Sequence, residues 1–244
     1  MPEKGRIRIG TSGWNYDHWK ETFYPADLGQ KDWLDFYAGR FDTVEINNSF
    51  YNLPSAGTFT SWADTVPDNF QFSVKASRYI THMKKLKDPC EPVANFMDSA
   101  GNLGKKLGPV LFQLPPRWSV NTGRLTEFLE QLPSGIMAVF EFRDSSWWDD
   151  WVYAILKDFG AAFCIYHLAG RESPRELTAD FVYIRLHGPG DAYQGRYRKE
   201  ELGGWAGAAI TWAESGKDVY IYFDNDQNGY APVNATELKE MTNR

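Results

Sequence analysis

Residues 43–47 read Thr-Val-Glu-Ile-Asn, and residues 138–143 read Ala-Val-Phe-Glu-Phe-Arg. Each is a short β-type run in which two polar residues stand two positions apart near the end. These polar residues are Glu45, Asn47, Glu141 and Arg143. Residues two apart on a strand face the same way, so each pair is expected to project together from one strand end. A (β/α)8 barrel builds its site in this way, at the carboxyl ends of its strands.

Six further runs of this type occur along the chain, each rich in Val, Ile, Phe or Tyr and bounded by Gly, Pro, Asp or Asn. The eight predicted strands are Arg6–Ser12, Thr43–Asn47, Phe70–Ala76, Val110–Leu114, Ala138–Arg143, Ala162–His167, Val182–His187 and Val219–Asp224. The predicted helices are Lys31–Arg40, Thr58–Val66, Val93–Lys106, Thr122–Gln131, Asp149–Phe159, Glu200–Ser215 and Asn234–Met241. This alternation predicts parallel strands joined by right-handed crossovers, and so an α/β protein with a single (β/α)8 TIM-type barrel.

The length of 244 residues suits one such barrel, and no internal repeat or Pro/Gly/Ser linker marks a boundary. A single domain over residues 1–244 is therefore predicted. The least regular interval is Leu168–Asp180, which has room for only a helical turn or two between the sixth and seventh strands.

Composition excludes several classes of protein. The net charge of −6 argues against bulk attraction to nucleic acid or an acidic membrane, although a local basic patch stays open. The two cysteines, Cys90 and Cys164, imply no disulfide framework. Residues 1–10 lack the apolar stretch of a signal peptide, and no run reaches the length of a membrane span. A cytoplasmic location without membrane contact is expected.

The order of several short motifs resembles the YecE-like family, a domain of unknown function. The motifs are Gly10-Thr11-Ser12-Gly13-Trp14, Val44-Glu45-Ile46-Asn47, Val74-Lys75-Ala76, Ile80-Thr81-His82, Leu111-Phe112-Gln113-Leu114-Pro115-Pro116, Glu141-Phe142-Arg143, Arg185-Leu186-His187-Gly188 and Tyr222-Phe223-Asp224-Asn225-Asp226. The resemblance runs from the first strand to the last helix. It implies a TIM-type barrel, and it brings no established reaction, substrate or cofactor.

Residues at or just after the predicted strand ends are the candidates for a site. Those proposed for catalysis are Glu45, Glu141 and His187, because carboxylates and imidazoles move protons. Those proposed for substrate binding are Trp14, Asn47, Lys75, His82, Gln113, Arg143, Arg185, Asp224 and Asn225. The charged members are expected to meet in one pocket. The alternative is a structural network in which Glu45, Glu141 and Asp224 neutralise Lys75, Arg143 and Arg185.

Gly188-Pro189-Gly190 follows Arg185 and His187 at the end of the seventh predicted strand. In many barrels this loop binds phosphate, because glycines allow close backbone approach and an arginine fork matches an oxyanion. Arg185 is the expected main ligand of such an anion. The alternative is a turn whose nearby arginines, Arg196 and Arg198, are solvated or paired with acids.

No cofactor is predicted. A divalent metal at Glu45, Glu141, His187 and Asp224 is a lower-ranked alternative, because no short ligand spacing marks it and nearby cations oppose it. The stretch from Asp224 to Gly229 resembles the start of a calcium loop, but Ala235 stands where the loop needs a bidentate Glu. We interpret it as a strand end and a turn.

Two classes of function fit these residues. The first is an enzyme that acts on a small, polar, anionic molecule by carboxylate acid–base chemistry. The second is a binding module for a nucleotide or single-stranded nucleic acid, favoured by the aromatic residues and by Arg196 and Arg198, and disfavoured by the net charge. The reaction, the substrate and the oligomeric state are left open.

Overall fold

The computed structural model describes residues 3–243. Its strands are β1 Ile7–Thr11, β2 Thr43–Ile46, β3 Gln71–Lys75, β4 Leu107–Gln113, β5 Ala138–Glu141, β6 Ala162–Leu168, β7 Arg171–Glu172, β8 Phe181–Leu186 and β9 Asp218–Phe223. Its α-helices are α1 Trp33–Ala38, α2 Ala56–Thr65, α3 Cys90–Ala100, α4 Thr122–Glu130, α5 Asp150–Asp158, α6 Lys199–Glu214 and α7 Tyr230–Thr242.

The strands lie in the order β1-β9-β8-β6-β5-β4-β3-β2, with β7 paired to β6 alone. A parallel bridge between Ser12 and Glu45 joins β1 to β2, the strands at the two ends of that order. Eight strands in chain order, with an α-helix in every interval except the one between β6 and β8, form the (β/α)8 topology. The predicted fold class is confirmed.

The structure differs from the prediction in two intervals. Residues 168–180 hold no helix: β7 turns back on β6 as an antiparallel hairpin. The predicted helix Val93–Lys106 ends at Ala100 and continues as a 3-10 helix in which Gly104 has φ +56°. A backbone angle of this sign suits glycine and interrupts a right-handed helix. Strand β4 can therefore begin at Leu107, earlier than predicted.

Three helices begin where a side chain caps a backbone amide. Ser55 accepts from Thr58 N at the start of α2, Asn121 from Arg124 N at α4, and Asp149 from Trp151 N at α5. These residue types satisfy the unpaired N–H groups of a first helical turn. None of the helices in residues 3–243 has both the length and the hydropathy that crossing a membrane requires.

The chain divides into two compact units. The first contains residues up to Glu45, Ile165–Arg175 and the chain from Asp180 onward; the second contains Ile46–Cys164 and Glu176–Ala179. The single-domain assignment stays a prediction.

The first unit is built on β1, β9 and β8, which pair in parallel and in continuous register. Its aromatic core lies beside β1, where Tyr24 and Trp33 stack with ring centroids 4.7 Å apart and Trp19 is fully buried. The second unit is built on β3, β4, β5 and the first residues of β6. Phe142 and Trp147 stack there at 4.8 Å.

The side chain of Tyr37, on α1, forms hydrogen bonds with the backbone of β1 and β2. Its hydroxyl accepts from Thr11 N at 2.9 Å and donates to Thr43 O at 3.1 Å, and the side chain is fully buried. One side-chain oxygen thus bridges β1 and β2 within the first unit.

Replacing Tyr37 by Phe is expected to destabilise the protein by about 1–3 kcal/mol, because Thr11 N–H would stay buried without this acceptor. Urea unfolding of the variant and the wild type measures the difference. Phe36→Leu, on the same helix but without a hydroxyl, is the control for lost packing. Equal free energies of unfolding for Tyr37→Phe and wild type would contradict the assigned role.

Candidate functional site

The carboxylate of Glu45, on β2, is fully buried and accepts hydrogen bonds at both oxygens. Ser12 Oγ donates to Oε1 at 2.8 Å, and the Tyr183 hydroxyl donates to Oε2 at 2.6 Å. Arg185 adds a fork, from Nε to Oε2 at 2.9 Å and from Nη2 to Oε1 at 2.7 Å. Bidentate pairs of this kind fix the orientation of both partners.

Burial raises the pKa of Tyr183 well above its usual value, and the charge of Glu45 adds to the rise. Tyr183 therefore keeps its proton and acts as a donor to Glu45 over the whole physiological range.

Arg185 links Glu45 to two further residues of the first unit. Its Nη2 donates to Asp224 Oδ2 at 3.1 Å, and its Nη1 lies 3.3 Å from His187 Nε2. Because a guanidinium only donates, Nε2 accepts and the ring proton stands on Nδ1, which donates to Asp224 Oδ2 at 3.0 Å. The result is a continuous network of Glu45, Arg185, His187 and Asp224.

Only one member of this network reaches solvent. The side chains of Glu45, Arg185 and His187 are at most 1% exposed, whereas that of Asp224 is 19% exposed. Burying a guanidinium and a carboxylate costs free energy that their attraction repays only when the geometry is good. The buried members hold Asp224 in a fixed orientation at the boundary with water.

Asp226, two residues beyond Asp224, forms a second acidic site. Trp19 Nε1 donates to its Oδ1 at 2.6 Å, and His18 Nε2 lies 2.9 Å from its Oδ2. Burial raises the pKa of Asp226 to about 6, and the negative charge of Asp224 contributes to the rise. His18 is half-exposed, so the His18 side of this pair is in contact with solvent.

The loop after β8 packs on itself. Gly188 has φ +113°, and a Cβ placed there would lie 2.1 Å from the carbonyl oxygen of Gln194. The carbonyl oxygen of Gln194 thus occupies the space that a side chain at this position would need. The expectation that this glycine opens the backbone to an anion stays a prediction. Further along, the half-exposed ring of Tyr193 lies edge-on to His187, with centroids 5.3 Å apart.

The arginines proposed as anion ligands have acidic neighbours. All three guanidinium nitrogens of Arg185 contact Glu45, Asp224 or His187, so an oxyanion would compete with carboxylates for this group. Arg196 pairs with Glu237, and Arg198 pairs with Glu201 at 3.3 Å. Anion binding at Arg185 stays a prediction.

In the second unit, Glu141 and Arg143 form an ion pair, as their two-residue spacing predicts. Gln113 pairs in register with Glu141 across β4 and β5, which places the two side by side. Cys164 Sγ lies 3.8 Å from Glu141 Oε2. Glu141 is fully buried within this group.

Lys75 and His82, also in the second unit, flank one aromatic ring. Lys75 Nζ lies 4.3 Å from the centroid of Phe50, and the His82 ring meets Phe50 edge-on at 4.9 Å. Burial lowers the pKa of His82 to about 4, with further lowering by the charges of Lys75 and Arg78. His82 is therefore uncharged at neutral pH.

Three further predicted binding residues are partly or fully buried. Strand β2 ends at Ile46 and Asn47 has helical angles (φ −105°, ψ −23°), so the alternation that places Glu45 does not extend to Asn47. Asn225 is buried and donates to Gly195 O and Asn234 Oδ1, which fixes the loop after β8. Trp14 is only 9% exposed. The shared pocket of all predicted residues stays a prediction.

Sequence reasoning missed Tyr183, His18 and Asp226. Tyr183 has the parity of Arg185 on β8, a signal that could have revealed it. The spacing of Asp224 and Asp226 is visible in the sequence, but a turn accounts for it equally well. His18 and Asp226 are 208 positions apart, and no local pattern joins them. No group of three or more His, Cys, Asp or Glu side chains within residues 3–243 is arranged to hold a metal ion.

The family model described as "Protein of unknown function DUF72" matches residues 8–244. The chain belongs to the DUF72 family. It is 26% identical over 268 aligned residues to the UPF0759 protein YunF of Bacillus subtilis (strain 168), covering 96% of this chain and 94% of YunF. It is 29% identical over 128 residues to the UPF0759 protein YecE of Escherichia coli (strain K12), covering 52% of this chain and 44% of YecE.

Solved structures of the DUF72 family share the fold. A DUF72 family protein of Thermotoga maritima MSB8 superposes with a TM-score of 0.88 at 28% identity, covering 98% of this chain and all of that one. A DUF72 family protein of Enterococcus faecalis V583 gives a TM-score of 0.83 at 20% identity, covering 98% and 96% of the two chains. The resemblance to the YecE-like family is confirmed.

Replacing Arg185 by Met in this DUF72 protein is expected to cost about 3–5 kcal/mol of stability, because Glu45 and Asp224 lose a buried counter-charge. Adding Glu45→Leu should recover part of the loss, since no carboxylate then stays buried at that position. Chemical unfolding of wild type, Arg185→Met, Glu45→Leu and the double variant forms a double-mutant cycle. Strictly additive effects would show that the two side chains are not coupled.

Asp226 is expected to make stability depend on pH. Because its pKa rises from 3.8 to about 6 in the folded state, the folded protein binds the proton more tightly, and stability is lost as pH rises from about 4 to 6. The stability of Asp226→Asn relative to wild type should therefore increase over this window. Above about pH 6 the increase should reach roughly 1–3 kcal/mol. Urea unfolding at about pH 4 and 7.5 measures the gain, with the exposed Asp180→Asn as control. A gain independent of pH would contradict this.

Proposed function

We propose that this protein is an enzyme that transfers protons to and from a small polar substrate, with Asp224 as the base and Asp226 as the acid. The observation that carries the proposal is the contrast between these carboxylates. Arg185 and His187 donate to Asp224, whereas burial raises the pKa of Asp226 to about 6. Two acids in environments that separate their protonation states are the usual basis of acid–base catalysis.

Glu45 has a different role in this proposal from the catalytic one that the sequence predicts. It is fully buried, and its oxygens accept from Ser12, Tyr183 and Arg185, so it positions the guanidinium that in turn positions Asp224. His187 positions Asp224 through Nδ1. Preorganised groups of this kind contribute to catalysis by holding the reacting side chain in one geometry.

The charge of the network bears on the substrate. Within the first unit it contains two carboxylates, Glu45 and Asp224, and one guanidinium, that of Arg185. This balance favours a neutral or cationic polar group of the substrate at Asp224 over an anionic one. Tyr193, whose half-exposed ring contacts His187, offers an apolar surface beside that group.

The test incubates the protein with an extract of small metabolites and follows every component by mass spectrometry. Wild type should convert at least one compound, and Asp224→Asn and Asp226→Asn should each slow the conversion by about 100-fold or more, the usual contribution of a general acid or base. Because the acid must be protonated, the rate should fall as pH rises through about 6.

Asp180→Asn, an exposed aspartate of the same unit, is the matched control and should leave the rate unchanged. No conversion by wild type, or conversion that persists in both site variants, would refute the proposal. A rate that depends on Asp224 but rises with pH through 6 would refute the role of Asp226 as the acid.

A further inference from the structure

A basic segment in the second unit lies outside the proposed catalytic groups. Residues 75–87 read Lys-Ala-Ser-Arg-Tyr-Ile-Thr-His-Met-Lys-Lys-Leu-Lys, with five cations and no acid. The protein has a net charge of −6, so this run opposes the overall balance. Asp88, which follows it, pairs with Lys84 at 3.6 Å.

The backbone holds this segment in a fixed and unusual shape. Residues Tyr79–Met83 form a π-helix that closes with Lys84 N donating to Tyr79 O at 2.9 Å. Lys85 and Leu86 then have φ angles of +48° and +64°, a left-handed conformation that is rare for long side chains. Leu86 is only 1% exposed, so it anchors the turn while Lys85 on one side of it is exposed. Strain of this kind is concentrated at functional segments.

Aromatic rings are interleaved with the cations. Tyr79 is 45% exposed and lies 5.9 Å from Lys84 Nζ, and Tyr51 is 76% exposed beside Phe50. Lys85 Nζ lies 5.9 Å from the ring centroid of Trp118. Exposed rings next to lysines offer both a stacking surface and a positive charge.

Two cations of the basic segment act on the ring of His82. His82 has its pKa lowered to about 4, by burial first and then by Lys75 and Arg78. In contrast, Arg196 and Arg198, which the sequence suggested for nucleic acid, pair with Glu237 and Glu201. The basic segment is therefore the better candidate for a polyanion.

We infer that the basic segment, together with Tyr51 and Trp118, is a binding surface for single-stranded nucleic acid. Its lysines and Arg78 contact backbone phosphates, and Tyr79 and Tyr51 stack with bases. Proteins that bind single strands without sequence preference combine these two features. A duplex would hide its bases from the rings, and an acidic lipid would offer no flat ring to stack on them.

The test measures fluorescence anisotropy of labelled oligothymidylate of about 16 nucleotides between about 50 and 200 mM salt. Wild type should bind, with affinity that falls as salt rises. Lys85→Ala with Lys87→Ala should reduce the slope of log affinity against log salt by about 1.4, the value for two phosphate contacts to a single strand. Tyr79→Ala should weaken binding roughly 5- to 150-fold, as loss of one stacked base predicts.

The paired arginines supply the matched control: Arg196→Ala with Arg198→Ala should bind like wild type. A second readout uses the intact wild-type protein, because phosphates near His82 should raise its pKa from about 4, measured by NMR with His82→Gln for assignment.

Four outcomes would overturn the inference. They are no binding by wild type at the lowest salt, loss of binding in the Arg196 and Arg198 variant alone, an unchanged His82 titration with bound oligonucleotide, and equal competition by poly-L-glutamate, which has no bases to stack. Binding to phosphatidylserine vesicles but not to the oligonucleotide would identify a membrane surface instead. None of these outcomes depends on the proposed enzyme.

Discussion

The buried fork between Glu45 and Arg185 is the interaction on which the first unit's polar centre depends. Without Arg185, the buried carboxylate of Glu45 would lose the counter-charge of the fork, whereas Arg185 without Glu45 would keep Asp224 as an acidic partner. Together they orient Ser12 and Tyr183 on one side, and Asp224 and His187 on the other. An apolar pair of similar volume could fill the same space at no greater cost in stability. What the charged pair adds is one fixed orientation for Asp224 where it meets solvent.

Sequence patterns predicted the parts of the fold and site that follow from local alternation. Arg185 and His187 lie together because they are two apart on β8 and its continuation, and Glu141 meets Arg143 for the same reason. The rule failed at Asn47, where the strand had already ended. Residues 168–180 were predicted to have room for little more than a helical turn or two, and nothing in their composition distinguishes such a turn from the hairpin found there.

The properties of Asp226 lay beyond such reasoning. Its raised pKa comes from burial and from the charge of Asp224, and its contacts with Trp19 and His18, residues more than 200 positions away, oppose the rise. The sequence also did not reveal which acidic residues lie next to which arginines. Arg196 and Arg198 look like anion ligands in the sequence, and only the folded chain brings Glu237 beside Arg196. A net charge describes the molecule as a whole, whereas recognition depends on which charges remain next to one another.

The hydroxyl of Tyr37 is the hydrogen-bond acceptor for one backbone amide of β1. Thr11 N–H bonds to a side chain of α1 rather than to a carbonyl of a neighbouring strand. Its exchange with deuterated solvent therefore requires only that α1 moves away, not that two strands separate. A single strand amide thus reports the undocking of a six-residue helix.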